Sequence, residues 1–102
     1  MSIDDLIQNL ETHWDSDGFL DAVRRGNFVP SDANAFLGLV RGISIGEDES
    51  VPKRLISLLW YLPSFLDWQK ERVAETSPAQ APAYERFVTE VHNALEEVLG
   101  IP

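Results

Sequence analysis

A row of large apolar residues in the second half of the chain constrains the fold more than any other feature. The row consists of Leu55, Leu59, Leu62, Leu66 and Val73. Steps of four, three, four and seven residues place these side chains on one face of an α-helix. Pro63 interrupts the row, and proline removes a backbone hydrogen bond and crowds the carbonyl four residues earlier. The sequence therefore predicts a long central helix that is kinked or broken near Pro63.

Apolar patterns elsewhere predict further helices, and no segment alternates apolar and polar residues for long enough to predict a strand. The predicted helices are a first one capped by Ser2, a short one ending at Gly26, a third between Ser31 and Gly42, the segment 51–75, and a last one from Pro82 to Gly100. A proline-containing linker, residues 76–83, precedes the last helix. We therefore expect an all-α fold, one compact bundle of about five helices that forms a single domain over residues 1–102.

The aromatic residues of the central helix differ in their expected burial. On a continuous helix, Tyr61 and Phe65 flank the leucine row, so we expect both in the core. Trp60 falls on the opposite side, among polar residues. The sequence leaves open whether Trp60 is covered by another helix of this chain or by a partner protein, as interface tryptophans are.

Charge narrows the classes of function. The chain has a formal net charge of −9, and residues 1–50 carry ten acidic and only three basic side chains. Lys and Arg dominate the affinity of proteins for nucleic acids, so we expect no nucleic acid and no anionic membrane as a partner. A basic protein partner would be attracted. An acidic surface also serves solubility alone.

Several other features bear on location and chemistry. The chain has no cysteine, so we expect neither disulfides nor thiolate catalysis. Asp4 and Asp5 stand where a signal peptide carries basic residues, and the apolar run 55–66 is shorter than the roughly 20 residues of a membrane span. These observations predict a cytoplasmic protein.

No motif indicates a metal, a cofactor or an enzyme. The stretch "DSDG" (15–18) is similar to the start of an EF-hand loop, but this register puts His13 at position one and Arg24 at position twelve, where calcium needs acids. The sequence lacks an HExxH motif, a GxGxxG motif and a P-loop. We therefore expect no bound cofactor, no metal site and no enzymatic activity.

The candidate partner-binding residues combine acids with exposed aromatics. They are Asp15, Asp17, Asp21, Glu47, Asp48, Glu49, Trp60, Asp67 and Trp68. Residues 46–50, "GEDES", form a predicted acidic loop that would pair with Lys and Arg of a partner protein. The tryptophans would anchor the same partner. The alternative is that such a run of acids is only a solvated loop.

The order of the predicted elements resembles that of a known class of proteins. A short helix, "GFLDAVRRGNF" (18–28), and the acidic loop are followed by the hydrophobic segment "VPKRLISLLWYLPSFLDWQ" (51–69). In this order of elements the chain is similar to the small acidic all-α immunity proteins of bacterial contact-dependent and other polymorphic toxin systems. The resemblance implies a bacterial, non-catalytic protein that binds a basic, nuclease-like toxin and neutralises it. It carries over no individual site residue.

Two alternatives to an immunity-type inhibitor stay open. One is a structural or adaptor protein that forms a homodimer or larger homo-oligomer through the hydrophobic segment 51–75. The other is a small hydrolase, which would need a pocket that so small a helical domain seldom provides. A stable dimer that buries Trp60 would favour the first, and a pH-dependent activity would favour the second.

Overall fold

The all-α prediction is confirmed by the computed structural model, which describes residues 2–102. The α-helices are α1 (Ile3–Trp14), α2 (Phe19–Arg24), α3 (Pro30–Arg41), α4 (Lys53–Trp60), α5 (Leu62–Trp68), α6 (Lys70–Thr76) and α7 (Ala81–Leu99), with a short 3-10 helix at Pro78–Gln80. Single residues separate α4, α5 and α6, so these three are segments of one bent central helix. Counted in this way, the bundle has the five helices expected.

The central helix bends twice, for two different reasons. The first bend, at Tyr61, precedes Pro63, which has no N–H to offer to the carbonyl of Leu59. The second bend, at Gln69, follows a carbonyl that hydrogen-bonds a side chain from another helix: the Tyr84 hydroxyl donates to the Leu66 oxygen at 2.6 Å. A side chain that enters the backbone ladder is a recognised cause of a helix kink. The break near Pro63 is therefore confirmed, and the bend at Gln69 is a further one.

The core lies where the central helix and α3 meet α7. Helix α7 packs against α3, α5 and α6, and α1 packs against α2 and α4. The whole predicted leucine row is buried, with Leu55, Leu59, Leu62, Leu66 and Val73 all inaccessible to solvent. A cluster of aromatic rings from α2, the α2–α3 connection, α3 and α7 completes the core, with neighbouring centroids 5.2 to 6.4 Å apart: Phe19, Phe28, Phe36, Tyr84 and Phe87. These contacts join the two groups of helices into one core.

Several helix ends match the sequence and several do not. The Ser2 hydroxyl accepts a hydrogen bond from the Asp5 amide at 3.1 Å, as predicted for the cap of α1. Ser31 was the wrong cap for α3, because the helix already begins at Pro30, whose fixed φ suits a first turn. The linker 76–83 was also wrong in part, since the 3-10 helix and the first turn of α7 occupy most of it.

One close contact ties α2 to the end of the central helix. Gly26 has φ +87°, and a Cβ built on it would lie 2.5 Å from the Thr76 hydroxyl oxygen and 2.9 Å from the Arg72 carbonyl oxygen. The Gly26 carbonyl also accepts a hydrogen bond from Ser77 Oγ at 3.1 Å. Only glycine fits both the left-handed conformation and this close approach.

Candidate functional site: an exposed aromatic surface

The bent central helix leaves three large aromatic side chains on the outside. Trp60 is 59% exposed, Tyr61 37% and Trp68 65%. Tyr61 bridges the two tryptophans, since its ring centroid lies 5.7 Å from each of theirs. We call these three residues the aromatic surface. The expectation that Tyr61 lies in the core was wrong. Of the two alternatives for Trp60, cover by another helix of this chain is excluded for residues 2–102.

The position of the aromatic surface is set by Trp14 and Phe65 beneath it. Phe65 is buried, and its ring lies 4.9 Å from that of Trp14 and 6.5 Å from that of Tyr61. The Trp14 indole N–H donates to the Leu58 carbonyl at 3.2 Å, which fixes the end of α1 against the end of α4. The aromatic surface therefore rests on a packed and hydrogen-bonded base rather than on loops.

Two arginines lie next to the Trp60 and Tyr61 part of this surface. The Arg24 guanidinium lies over the Phe65 ring, 5.5 Å from its centroid. Arg24 and Arg54 both line a groove of about 430 Å³ whose other walls include Trp14, Trp60 and Tyr61. We call this the Trp60 groove. Sequence reasoning missed Arg24, Arg54 and Tyr61, because the two arginines come together only through the packing of α1, α2 and the central helix.

The predicted acids near α1 and α2 are partly engaged within the chain. Asp21 pairs with both Arg24, at 3.5 Å, and Arg25, at 3.3 Å, and it accepts a hydrogen bond from the Asp17 amide at 3.2 Å. Asp15 ends α1, and Asp17 occupies the left-handed region with φ 67°, so "DSDG" forms a tight turn. Asp15 and Asp17 are exposed, and they follow Trp14 directly in the chain.

The acidic loop lies at the other end of α4 from the aromatic surface. Glu11 contacts Arg54, and Trp14 contacts Leu58, so α1 and α4 run side by side in the same direction. The acidic loop precedes α4, whereas Trp60 is the last residue of that helix, which separates them by about 11 Å of helix rise. Glu47, Asp48 and Glu49 are exposed, and Glu49 accepts a hydrogen bond from the Gly46 amide at 3.3 Å. The acids of the loop and the predicted tryptophans therefore occupy two separate places.

The last predicted residue, Asp67, lies beside Trp68 and pairs with Lys70, with the Nζ and the carboxylate oxygen 2.9 Å apart. The hydrogen bond and charge of Asp67 raise the pKa of Lys70 above its ordinary value. Asp67 is thus a paired acid at the edge of the aromatic surface.

The structure of residues 2–102 also bears on metal binding and on membrane insertion. No group of three or more His, Asp or Glu side chains within them could hold a metal ion. None of their helices combines the length and the apolar character that crossing a bilayer requires.

An apolar cavity of about 210 Å³ lies at the far end of the bundle from the Trp60 groove. It lies between the start of α1, the end of α3 and the loop 43–45, and Leu6, Leu39, Ile43 and Leu55 are among its lining residues. It is smaller than the usual range for ligand sites.

No protein-family model, curated protein or solved structure matches this chain. The function is therefore argued from the geometry of the aromatic surface and its surroundings.

Proposed function

We propose that this protein is a non-catalytic binding domain that anchors a partner protein on its aromatic surface. The observation that carries the proposal is the exposure of Trp60, Tyr61 and Trp68 as one contiguous patch. Tryptophan and tyrosine are enriched among the residues that contribute most to binding at protein interfaces. Their rings are rigid and lose little conformational freedom on binding.

The specific form that we propose is an immunity-type inhibitor that neutralises a basic, nuclease-like toxin. The net charge of −9 supports it, because opposite charge accelerates association with a basic partner. The acidic loop would act mainly at long range, since it lies at the opposite end of α4 from the aromatic surface. In this division of roles, aromatic side chains provide affinity and carboxylates provide the rate of encounter.

A homo-oligomer is the second candidate, because the aromatic surface lies on the segment 51–75. At about 200 Å² for a full aromatic side chain, the three exposed fractions offer only about 300 Å². A standard interface buries about 800 Å² on each partner. The aromatic surface must therefore be extended by its neighbours in either arrangement, and sedimentation of the free protein separates the two candidates.

The test of the proposal is a Trp60→Ala variant beside a Leu99→Ala control. Leu99 is also a large exposed apolar residue, but it lies at the end of α7. Proteins captured from a host lysate by the wild type are identified, and the affinity of the purified partner is measured for each variant. We expect Trp60→Ala to weaken binding about 30-fold or more and Leu99→Ala to leave it unchanged. Equal affinity for wild type and Trp60→Ala would refute the anchor.

The role of the acidic loop has its own test, a pair of variants that have the same net charge as each other. One variant reverses Glu47, Asp48 and Glu49 to lysine, and its control reverses Glu90, Glu96 and Glu97 of α7. Both variants change the net charge by the same amount. The pairs of Glu90 with Arg41 and of Glu96 with His92, which the control also breaks, are exposed and contribute little, so a difference in association rate reports mainly the position of the charge. We expect the loop variant to have the lower association rate and the weaker salt dependence. Equal association rates for the two variants would remove the acidic loop from the steering role.

A further inference from the structure

The charged side chains that line the Trp60 groove are cations, although the molecule as a whole is acidic. Its lining includes Arg24 from α2 and Arg54 from α4, and no carboxylate is among the residues that line it. The chain as a whole has seventeen acids and eight bases. Two of those eight bases and no acid line the groove, although Asp21 and Glu11 contact these arginines from beside it.

Both arginines are held in place yet keep donors free. The Arg54 guanidinium lies 3.1 Å from Glu11 Oε2, and Arg24 lies 3.5 Å from Asp21 Oδ1. Each side chain is more than half exposed. A guanidinium has five N–H donors in a planar fork, so one contact to an acid of the same chain leaves others for a ligand carboxylate.

Apart from Ser57, the remaining residues that line the groove are large aromatic or aliphatic side chains. Trp60 and Tyr61 stand with their rings at 71° to each other, which forms a corner rather than a flat sheet. The Trp14 indole N–H is already bonded to the Leu58 carbonyl, so this side chain offers mainly its ring. An occupant needs an apolar side chain for this corner and a carboxylate within reach of the arginines.

We propose that the Trp60 groove binds an acidic segment of the partner protein, in which Asp or Glu side chains flank a large apolar residue. The carboxylates pair with Arg24 and Arg54, and the apolar side chain packs against Trp60 and Tyr61. This inference rests on the proposed function and adds the chemistry of the bound segment. The proposed partner is basic overall, so its acidic segment would differ in sign from its net charge.

The test uses a defined peptide probe and the three indole N–H signals of the protein. The probe is the acetylated, amidated peptide Leu-Asp-Phe-Glu-Leu, compared with its neutral form Leu-Asn-Phe-Gln-Leu and its basic form Leu-Lys-Phe-Lys-Leu. We expect the acidic peptide to shift the Trp14 and Trp60 signals saturably and more than that of Trp68, which does not line the groove. Equal binding of the neutral or basic peptide, or no saturable shift with the acidic one, would overturn the inference.

The double variant Arg24→Gln, Arg54→Gln tests the arginines directly. We expect it to weaken the acidic peptide about tenfold or more, because it removes charge-assisted hydrogen bonds. Arg41→Gln is the matched control, since Arg41 is also more than half exposed and pairs with an acid, Glu90, at 3.7 Å. An equal loss in the control, or none in the double variant whose circular dichroism spectrum is unchanged, would contradict the assignment.

The same variants separate this inference from the proposed function. Suppose that Trp60→Ala no longer binds the purified partner, whereas the double variant Arg24→Gln, Arg54→Gln binds it with full affinity. The aromatic anchor is then supported and the acidic segment is refuted. If the partner is unaffected by Trp60→Ala while the acidic peptide still requires both arginines, the groove binds carboxylates and the proposed anchor fails. Loss of the partner with both variants supports both statements.

Discussion

Replacing Tyr84 by phenylalanine tests the contact that holds the second bend of the central helix. The buried Tyr84 hydroxyl donates to the Leu66 carbonyl at 2.6 Å, whereas the Gln69 amide reaches the same oxygen at 3.3 Å. The variant removes the shorter of the two hydrogen bonds and leaves the longer one. The lost hydrogen bond joins α5 to α7, two residues before Trp68 in the chain.

The expected loss of unfolding free energy is about 1.5 kcal/mol. A neutral hydrogen bond contributes about 1 kcal/mol net, and a buried carbonyl that loses its better partner adds to that loss. For a chain of this size, with a urea m-value of about 1.5 kcal/mol/M, the midpoint should fall by about 1 M. Urea unfolding followed by tryptophan fluorescence measures it.

Tyr61→Phe is the matched control for this prediction. It removes the same hydroxyl from a tyrosine that is 37% exposed, where water can replace any contact. We expect its free energy of unfolding to change by less than about 0.5 kcal/mol. A loss below that value for Tyr84→Phe, or an equal loss in the two variants, would refute the stabilising role of this hydrogen bond.

The pH dependence of stability gives the same residue a second readout. Burial, with a smaller contribution from the charge of Asp67, raises the pKa of Tyr84 above its ordinary value of 10.0. Above pH 10 the unfolded chain releases this proton while the folded protein retains it, so stability should fall as the pH rises. The Tyr84→Phe variant should lack this component, and an unchanged slope would contradict the burial of the hydroxyl.

Two further perturbations test the packing of α2 and α1. Gly26→Ala should lower the free energy of unfolding by about 2 to 3 kcal/mol because of its positive φ and its approach to Thr76, whereas Gly38→Ala, in an open position within α3, should raise it by about 0.8 kcal/mol. Denaturant unfolding measures both changes. If the two substitutions changed the free energy of unfolding in the same direction, the different surroundings of Gly26 and Gly38 would not explain their effects. Partial burial lowers the pKa of His13 below 6.5, and the charge of Asp32 opposes this shift only in part. The unfolded chain therefore binds more protons than the folded protein, so the stability falls as the pH drops below 6.5. A His13→Leu variant should show a smaller loss than the wild type between about pH 7.5 and about pH 5.5, and equal losses would refute this contribution.

Much of the candidate site was predictable because it is local in the sequence. Trp60 and Trp68 stood out as aromatics at the margin of a leucine row, and the acidic loop stood out as three consecutive carboxylates. Tyr61 was misplaced because a helical wheel assumes one continuous helix, whereas the chain bends at this residue. The arginines of the Trp60 groove had no local signal, since 30 residues separate Arg24 from Arg54.

The sequence by itself determined the helices, the buried face of the central helix and its break near Pro63. These properties depend on side-chain period and on backbone chemistry within a few residues, which the chain carries wherever it folds. Tertiary structure alone decided the second bend at Gln69, the exposure of the aromatic surface and the placement of two arginines in the lining of the Trp60 groove. These follow from contacts such as Trp14 with Leu58 and Tyr84 with Leu66, 44 and 18 residues apart. An apolar repeat in the sequence predicts that one face of a helix is buried. Which helix covers that face, and which side chains lie next to it, depends on the assembled bundle.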